Sequence, residues 1–124
     1  MFTEEAVIEN TIGNGYTIEG LASARQFTAR RSADTPDHHT LDTIVLIDAE
    51  GVVRARSRYI ATLIDGTVHA GDYFDVLEHT PRGWRIRYRI SIPRNPDLAG
   101  VTLTDEFVAA WRPTADNVPA LARD

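Results

Sequence analysis

From residue 38 to residue 92 the hydrophobic and polar positions alternate with a period of two. In WRIRYRISI, residues 84–92, Trp84, Ile86, Tyr88, Ile90 and Ile92 alternate with Arg85, Arg87, Arg89 and Ser91. That pattern predicts a strand with one packed face and one face that is wet or covered by protein. The period also runs through HHTLDTIVLI (38–47), VVRARSRYIATLI (52–64) and TVHAGDYFDVLEH (67–79), with DAEG, DG and TPRG as the turns between them. Upstream, the glycines of IGNGY (12–16) permit positive φ, so AVIEN and YTIEG predict a small hairpin. LASARQFTARRSAD (21–34) predicts a helix. Its Leu21, Ala24, Phe27 and Thr28 share a face, Arg25, Arg30 and Arg31 lie off it, and Pro36 ends it. Beyond Pro93, TDEFVAAW (104–111) predicts a short helix capped by Thr104. Four long antiparallel strands after a hairpin and a helix define an α+β domain over residues 1–93. Residues 94–124 are expected to form a C-terminal extension carrying the short helix.

Turn lengths set an expected register. A four-residue DAEG turn pairs Ile47 with Val52 and places His39 opposite Ile60. A two-residue DG turn puts Ile60 on the face of Tyr73, Asp75, Leu77 and His79. A four-residue TPRG turn adds Trp84, Ile86, Tyr88 and Ile90 to that face. His39 and Asp75 then lie together on the apolar face, and His38 points outward as a surface residue. The same register brings Arg54, Arg56 and Arg58 there, with Arg56 opposite Asp75. Two solutions stay open: Asp75 is ion-paired inside the face, or the long strand bulges near Ser57 and turns the arginines away.

Composition narrows the chemistry. The chain has 124 residues, 43% hydrophobic and 25% charged, with a net charge of -5, and its 13 basic residues are all Arg. The acidic balance argues against nucleic acid as a partner. With no cysteine, disulfides, thiol nucleophiles and thiolate metal sites are excluded. His69 and His79 are too far apart on one strand to share a metal, so neither metal nor cofactor is expected. No signal peptide is apparent in MFTEEAVIEN, and no apolar run reaches the ~20 residues of a membrane span, so a cytoplasmic location is expected. GNG lacks the surroundings of a phosphate loop, and no serine sits in G-x-S-x-G.

The candidate catalytic residues are His39 and Asp75. An imidazole can take a proton from a carbon beside a carbonyl and return it to a leaving hydroxyl. Asp75 would orient it or act as a second acid or base. The plainer alternatives are a His39 that caps the strand start, and an Asp75 in a salt bridge to Arg56 or another strand arginine. Phe27, Ile60, Tyr73, Trp84 and Tyr88 are the candidate ligand contacts, with the core as their alternative fate. Arg85, Arg87 and Arg89 form a basic ladder, expected to face Asp72 and Glu78 or a dimer mate.

The hairpin, the helix and the stretches HHTLDTIVLIDAEGVVRARSRY and GDYFDVLEHTPRGWRIRYRIS resemble the SnoaL-like branch of the nuclear-transport-factor-2-like superfamily over residues 2–93. The matching signals are the histidine pair opening a long strand, Gly71-x-Tyr73-x-Asp75, and Gly83-Trp84-Arg85. The resemblance implies a strongly curved antiparallel sheet, a cone-shaped half-barrel packed on one or more helices around an apolar cavity. In dehydratase-like members a histidine at the place of His39 acts as acid and base, supported by a carboxylate at or near the place of Asp75. The ligand implied is a small, apolar, ring-containing molecule. Two functions are open. One is cofactor-independent proton transfer (dehydration, isomerisation or cyclisation), as in dehydratases, ketosteroid isomerases and polyketide cyclases. The other is a non-catalytic ligand-binding or structural subunit that acts through its sheet, as a homodimer or with a partner subunit. MFTEEAVIE matches the segment after the family's first helix, so that helix and its tyrosine and aspartate are not expected here. The helix around Phe107 and Trp111, or a partner chain, would cover the cavity.

Overall fold

Six strands form one sheet in the computed structural model, which describes residues 1–31, 35–95, 106 and 111. In chain order they are β1 (Phe2–Asn10), β2 (Tyr16–Glu19), β3 (Asp37–Ile47), β4 (Val53–Thr62), β5 (Val68–Thr80) and β6 (Gly83–Asn95), with α1 (Leu21–Ala29) between β2 and β3. The sheet order is β2-β1-β6-β5-β4-β3. The predicted hairpin and four-strand meander are present, and every neighbouring pair is antiparallel except β1 and β6, which run parallel. Register shifts in the β1–β6, β3–β4 and β5–β6 pairs bend and twist the ribbon. The outcome is the expected α+β architecture, a curved sheet with α1 packed on β1 and β2.

The helix is shorter than predicted. Arg30 and Arg31 donate their backbone N–H to Phe27 O and Thr28 O, three residues back, so the last turn tightens and ends. Residues 32–34 of the predicted helix lie outside the described residues. Of the predicted C-terminal helix, Glu106 is helical and Trp111 is in a turn; the rest lies outside the described residues.

One loop decides which side chains face α1. The turn between β4 and β5 is a three-residue loop, Ile64-Asp65-Gly66, rather than the two-residue turn expected. Leu63 N–H donates to Thr67 O, Gly66 N–H donates to Leu63 O, and Gly66 takes φ 81°. The extra residue moves β5 by one position, so Ile60 pairs with Ala70, Ser57 with Tyr73, and Ala55 with Asp75. Every expectation that tied β4 to β5 by face inverts accordingly.

On the β3 side two differences cancel. The first pair is Ile47–Val53, one residue off the expected register, but β3 bulges between Leu41 and Ile44, opposite Ser57. Asp42 in that bulge takes φ 50°, a conformation that aspartate tolerates better than most residues. Thr43 Oγ1 and Ser57 Oγ are 2.9 Å apart across it. The pairing of His39 with Ile60 therefore stands. The bulge expected in the long strand near Ser57 is absent: β4 pairs with β5 without a register shift, the irregularity opposite Ser57 belongs to β3, and the three-residue loop is what turns the arginines away from Asp75.

The sheet face away from α1 carries the main apolar cluster, with Phe74, Val76 and Ile92 packed beneath Trp111 and flanked by Val52, Tyr88 and Ile90. The guanidinium carbons of Arg54 and Arg56 sit 5.0 and 5.2 Å from the Trp111 and Phe74 ring centres. Arg56 is paired there with Asp72, which Arg94 also contacts. Asp72 is 1% exposed, and each of its oxygens has a guanidinium partner, as a buried carboxylate requires.

Candidate functional site

The opposite face looks toward α1. Between them lies an open cleft of about 670 Å³, lined by parts of β1, β2, α1, β5 and β6 and by His38. Its floor follows from the register. One planar group from each of five neighbouring strands points to this side: His38 (β3), Tyr59 (β4), Tyr73 (β5), Arg89 (β6) and Phe2 (β1). The His38 and Tyr59 ring centres are 5.5 Å apart, and Tyr59 stacks on Tyr73 at 4.6 Å. The Arg89 guanidinium carbon lies 4.2 Å from the Tyr73 ring centre and 5.6 Å from that of Phe2. Gly71, directly opposite Tyr59, makes the ladder possible. A Cβ there would lie 2.5 Å from Tyr59 Oη and would collide with Ile92 O.

Arg89 is held by Asp75 in a two-pronged ion pair, Nε to Oδ1 and Nη2 to Oδ2, each 2.7 Å. Asp75 is 3% exposed, and this pairing keeps a carboxylate tolerable there. Asp75 therefore orients an arginine, not a histidine; of the alternatives stated for it, the salt bridge to a strand arginine is the one formed. The arginine is Arg89, because Arg56 has moved to the far face. With one edge on Asp75 and one face on Tyr73, Arg89 keeps its Nη1 donors, which have no partner among the described residues.

Burial pushes the Tyr73 phenol up to about 12, against the pull of Arg89 and with Tyr59 and Asp75 adding to the rise. It is a proton donor throughout the neutral range. Burial likewise raises Tyr59, with the nearby Ser91 side chain opposing the rise.

The two histidines exchange the roles expected of them. His39 pairs with Ile60, and through it with Ala70, on the far face; Asp75 is on the cleft face. His39 and Asp75 are not brought together. His38 lines the cleft instead, since it pairs with Ala61 on the Tyr59 side. Its Nδ1 is 3.0 Å from Pro36 O. A carbonyl can only accept, so in the neutral ring Nδ1 carries the hydrogen and Nε2 keeps its lone pair.

Of the expected ligand contacts, Phe27 and Tyr73 line the cleft. Ile60 is on the far face, as is Tyr88, whose hydroxyl donates to Glu9 at 3.1 Å. Trp84 is 52% exposed at the sheet end, edge-on to His79. A bulge in β6 between the pairs Val76–Tyr88 and Leu77–Ile86 breaks the predicted alternation of that strand. It also breaks the expected arginine ladder: Arg85 pairs opposite Glu78, whereas Arg89 turns into the cleft. The residues missed by pattern alone are His38, Tyr59, Arg89, Tyr16 and Phe2. The one signal for them was a tyrosine, Tyr59, in a strand otherwise alternating small and basic side chains.

Among the described residues no cluster of three or more His, Asp or Glu could hold a metal ion, and no helix is long and apolar enough to cross a membrane.

A curved sheet with one helix over a polar-floored cleft defines a small α+β cone domain, and the family is shown directly. The SnoaL-like domain matches residues 1–90, and the chain belongs to that family. Among solved structures it is similar to a variant of Rv3472, a protein of unknown function from Mycobacterium tuberculosis. The identity is 27% and the TM-score 0.64, covering 88% of this chain and 67% of the other. It is also similar to a proposed aromatic ring hydroxylase from Novosphingobium aromaticivorans, at 24% identity and TM-score 0.57, over 73% of this chain and 67% of that one. A proposed scytalone dehydratase from the same species aligns at 16% identity and TM-score 0.53, over 98% of this chain and 77% of that one. The last two likenesses bear on the fold alone. No curated protein matches the chain.

Proposed function

We propose that the cleft binds a small ring-containing molecule bearing a carbonyl and catalyses cofactor-independent proton transfer, as dehydration, isomerisation or cyclisation. The observation that carries this reading is the ladder from His38 through Tyr59 and Tyr73 to Arg89, which sets a base at one end of the cleft face and donors at the other. His38 Nε2 takes the proton from the carbon beside the carbonyl. The C–H electron pair moves to the carbonyl oxygen, and the enolate is met by the Tyr73 hydroxyl and Arg89 Nη1. The imidazolium returns the proton to a second carbon, or to a hydroxyl that leaves as water. The ring of Tyr59 separates His38 from Tyr73, so a fused polycyclic skeleton suits the site better than a single ring. His39, the catalytic residue expected from the sequence, has no part in this mechanism because it lies on the far face.

A second reading, a non-catalytic subunit acting through its sheet, is supported by β3. This edge strand is exposed along nearly its whole length, with Leu41, Ile44, Val45 and Ile47 between 42% and 56% exposed. One set of measurements separates the two. A screen of polycyclic ketones for turnover should give a substrate whose kcat falls about 10²–10⁴-fold in His38→Ala and less than about threefold in His39→Ala. Binding without turnover, or equal losses in both variants, sinks the catalytic reading. A chain that binds no ring compound and sediments as a dimer or larger favours the second.

A further inference from the structure

The chain is acidic overall, yet three arginines, Arg25, Arg31 and Arg89, line the cleft, with Glu9 the one carboxylate beside them. Arg89 is neutralised by Asp75, and Glu9 accepts from Tyr88 on the far face. Arg25 and Arg31 form no ion pair among the described residues. Helical spacing alone sets both off the apolar face of α1, yet both line the cleft. For Arg25 the neighbours account for it, because Leu21, Ala24, Arg25 and Thr28 make one stripe on α1. Arg31 follows the tightened last turn and lies over Phe27, its guanidinium carbon 5.7 Å from the ring centre; Phe27 in turn sits 5.4 Å from Tyr16. A guanidinium resting on a ring has its flat face occupied and its rim of N–H donors free, the arrangement that takes a carboxylate with two parallel hydrogen bonds.

We propose that the ligand is an anion, a planar ring compound bearing a carboxylate, with its skeleton on the Tyr73–Arg89 ladder and its carboxylate held at the mouth by Arg31 and Arg25. This rests on the cleft being the ring-binding site. Neither of these arginines enters the proton transfer; they select among ring compounds by charge. The apolar ligand expected from the family resemblance is thereby narrowed to one with a charged end.

The test uses a matched pair of probes, 2-naphthoate and its uncharged methyl ester, titrated calorimetrically into the full chain. Naphthoate should bind at least about tenfold more tightly than the ester, the scale of charge-assisted hydrogen bonds. In Arg25→Gln/Arg31→Gln the gap should shrink to less than about threefold, through weaker acid binding, with ester affinity and melting temperature unchanged. Added salt should weaken the acid alone. Arg58→Gln, an exposed arginine of the far face, serves as control and should leave the gap intact. An ester that binds as tightly as the acid overturns the proposal while leaving the ring-binding cleft standing. So does a control that closes the gap as far as the double variant does, since that would be a long-range surface effect. If neither probe binds, this proposal and the reading of the cleft fall together.

Discussion

Asp75→Asn removes one negative charge and little volume from the buried support of Arg89, which makes it a sharp probe of the ladder. In the parent, both carboxylate oxygens accept from Arg89 at 2.7 Å, and the aspartate is almost completely buried. The amide can present an oxygen to only one of these donors and must turn its own NH₂ toward the other. Breaking a buried pair from one side costs about 3–5 kcal/mol, because the remaining charge is left without compensation. The Arg89 side chain keeps 16% exposure and its stacking on Tyr73, which favours the lower end, about 3 kcal/mol. For a domain of this size that corresponds to a fall in melting temperature of roughly 10 °C. The assay is chemical denaturation of the parent, Asp75→Asn, Arg89→Met and the double variant. The pair should show a coupling energy of about 2 kcal/mol, the double variant being more stable than the sum of the single losses implies. A loss below about 1 kcal/mol in Asp75→Asn, with no coupling, would refute the claim that this pair fixes Arg89 in place.

Two further outcomes concern the same floor. Gly71→Ala should cost about 1–3 kcal/mol by overpacking, and since the new methyl runs into both Ile92 O and the Tyr59 ring it should also displace Tyr59 and weaken ring binding; unchanged stability and affinity would mean the Tyr59–Tyr73 stack does not need that close approach. Tyr73 and Tyr88 each titrate near 12 in the folded chain against 10.0 in the open one. Folding thus retains protons the unfolded chain gives up between those values, so stability should fall as pH rises across that window, with Tyr73 contributing more than the more open, solvent-screened Tyr88. Denaturation midpoints that stay level from pH 10 to 12, or phenolate absorbance that appears fully by pH 10, would contradict the burial of these phenols.

The strands, the small hairpin and the curved sheet were legible because hydrophobic periodicity survives any error of register. The allocation of side chains to faces was not. Asp65-Gly66 fits a two-residue turn and a three-residue loop about equally well, since both want glycine with positive φ. The choice between them decides whether Tyr73 joins Ile60 or Ser57. His39 opposite Ile60 came out as expected only because the bulge at Asp42 offsets a one-residue difference at the β3–β4 turn. The bulge in β6 is equally silent, for nothing in WRIRYRISI says that Ile86 and Tyr88 turn to opposite sides. A buried partner for Asp75 could be anticipated from charge alone; which of several arginines supplies it depends on those same irregularities.

The adjacent histidines also bear on how this site could change over generations. β3 offers an imidazole to both sides of the sheet, and Ile44, Val45, Leu46 and Ile47 make its far half apolar on both sides as well. Gain or loss of one residue in the loop before β4 would turn the whole strand over. In most strand-borne sites that event deletes the chemistry at a stroke. Here it would bring His39 to the cleft where His38 now stands and set one aliphatic side chain in another's place. The strand is in effect reversible, and its loop is free to lengthen or shorten while an imidazole stays on duty.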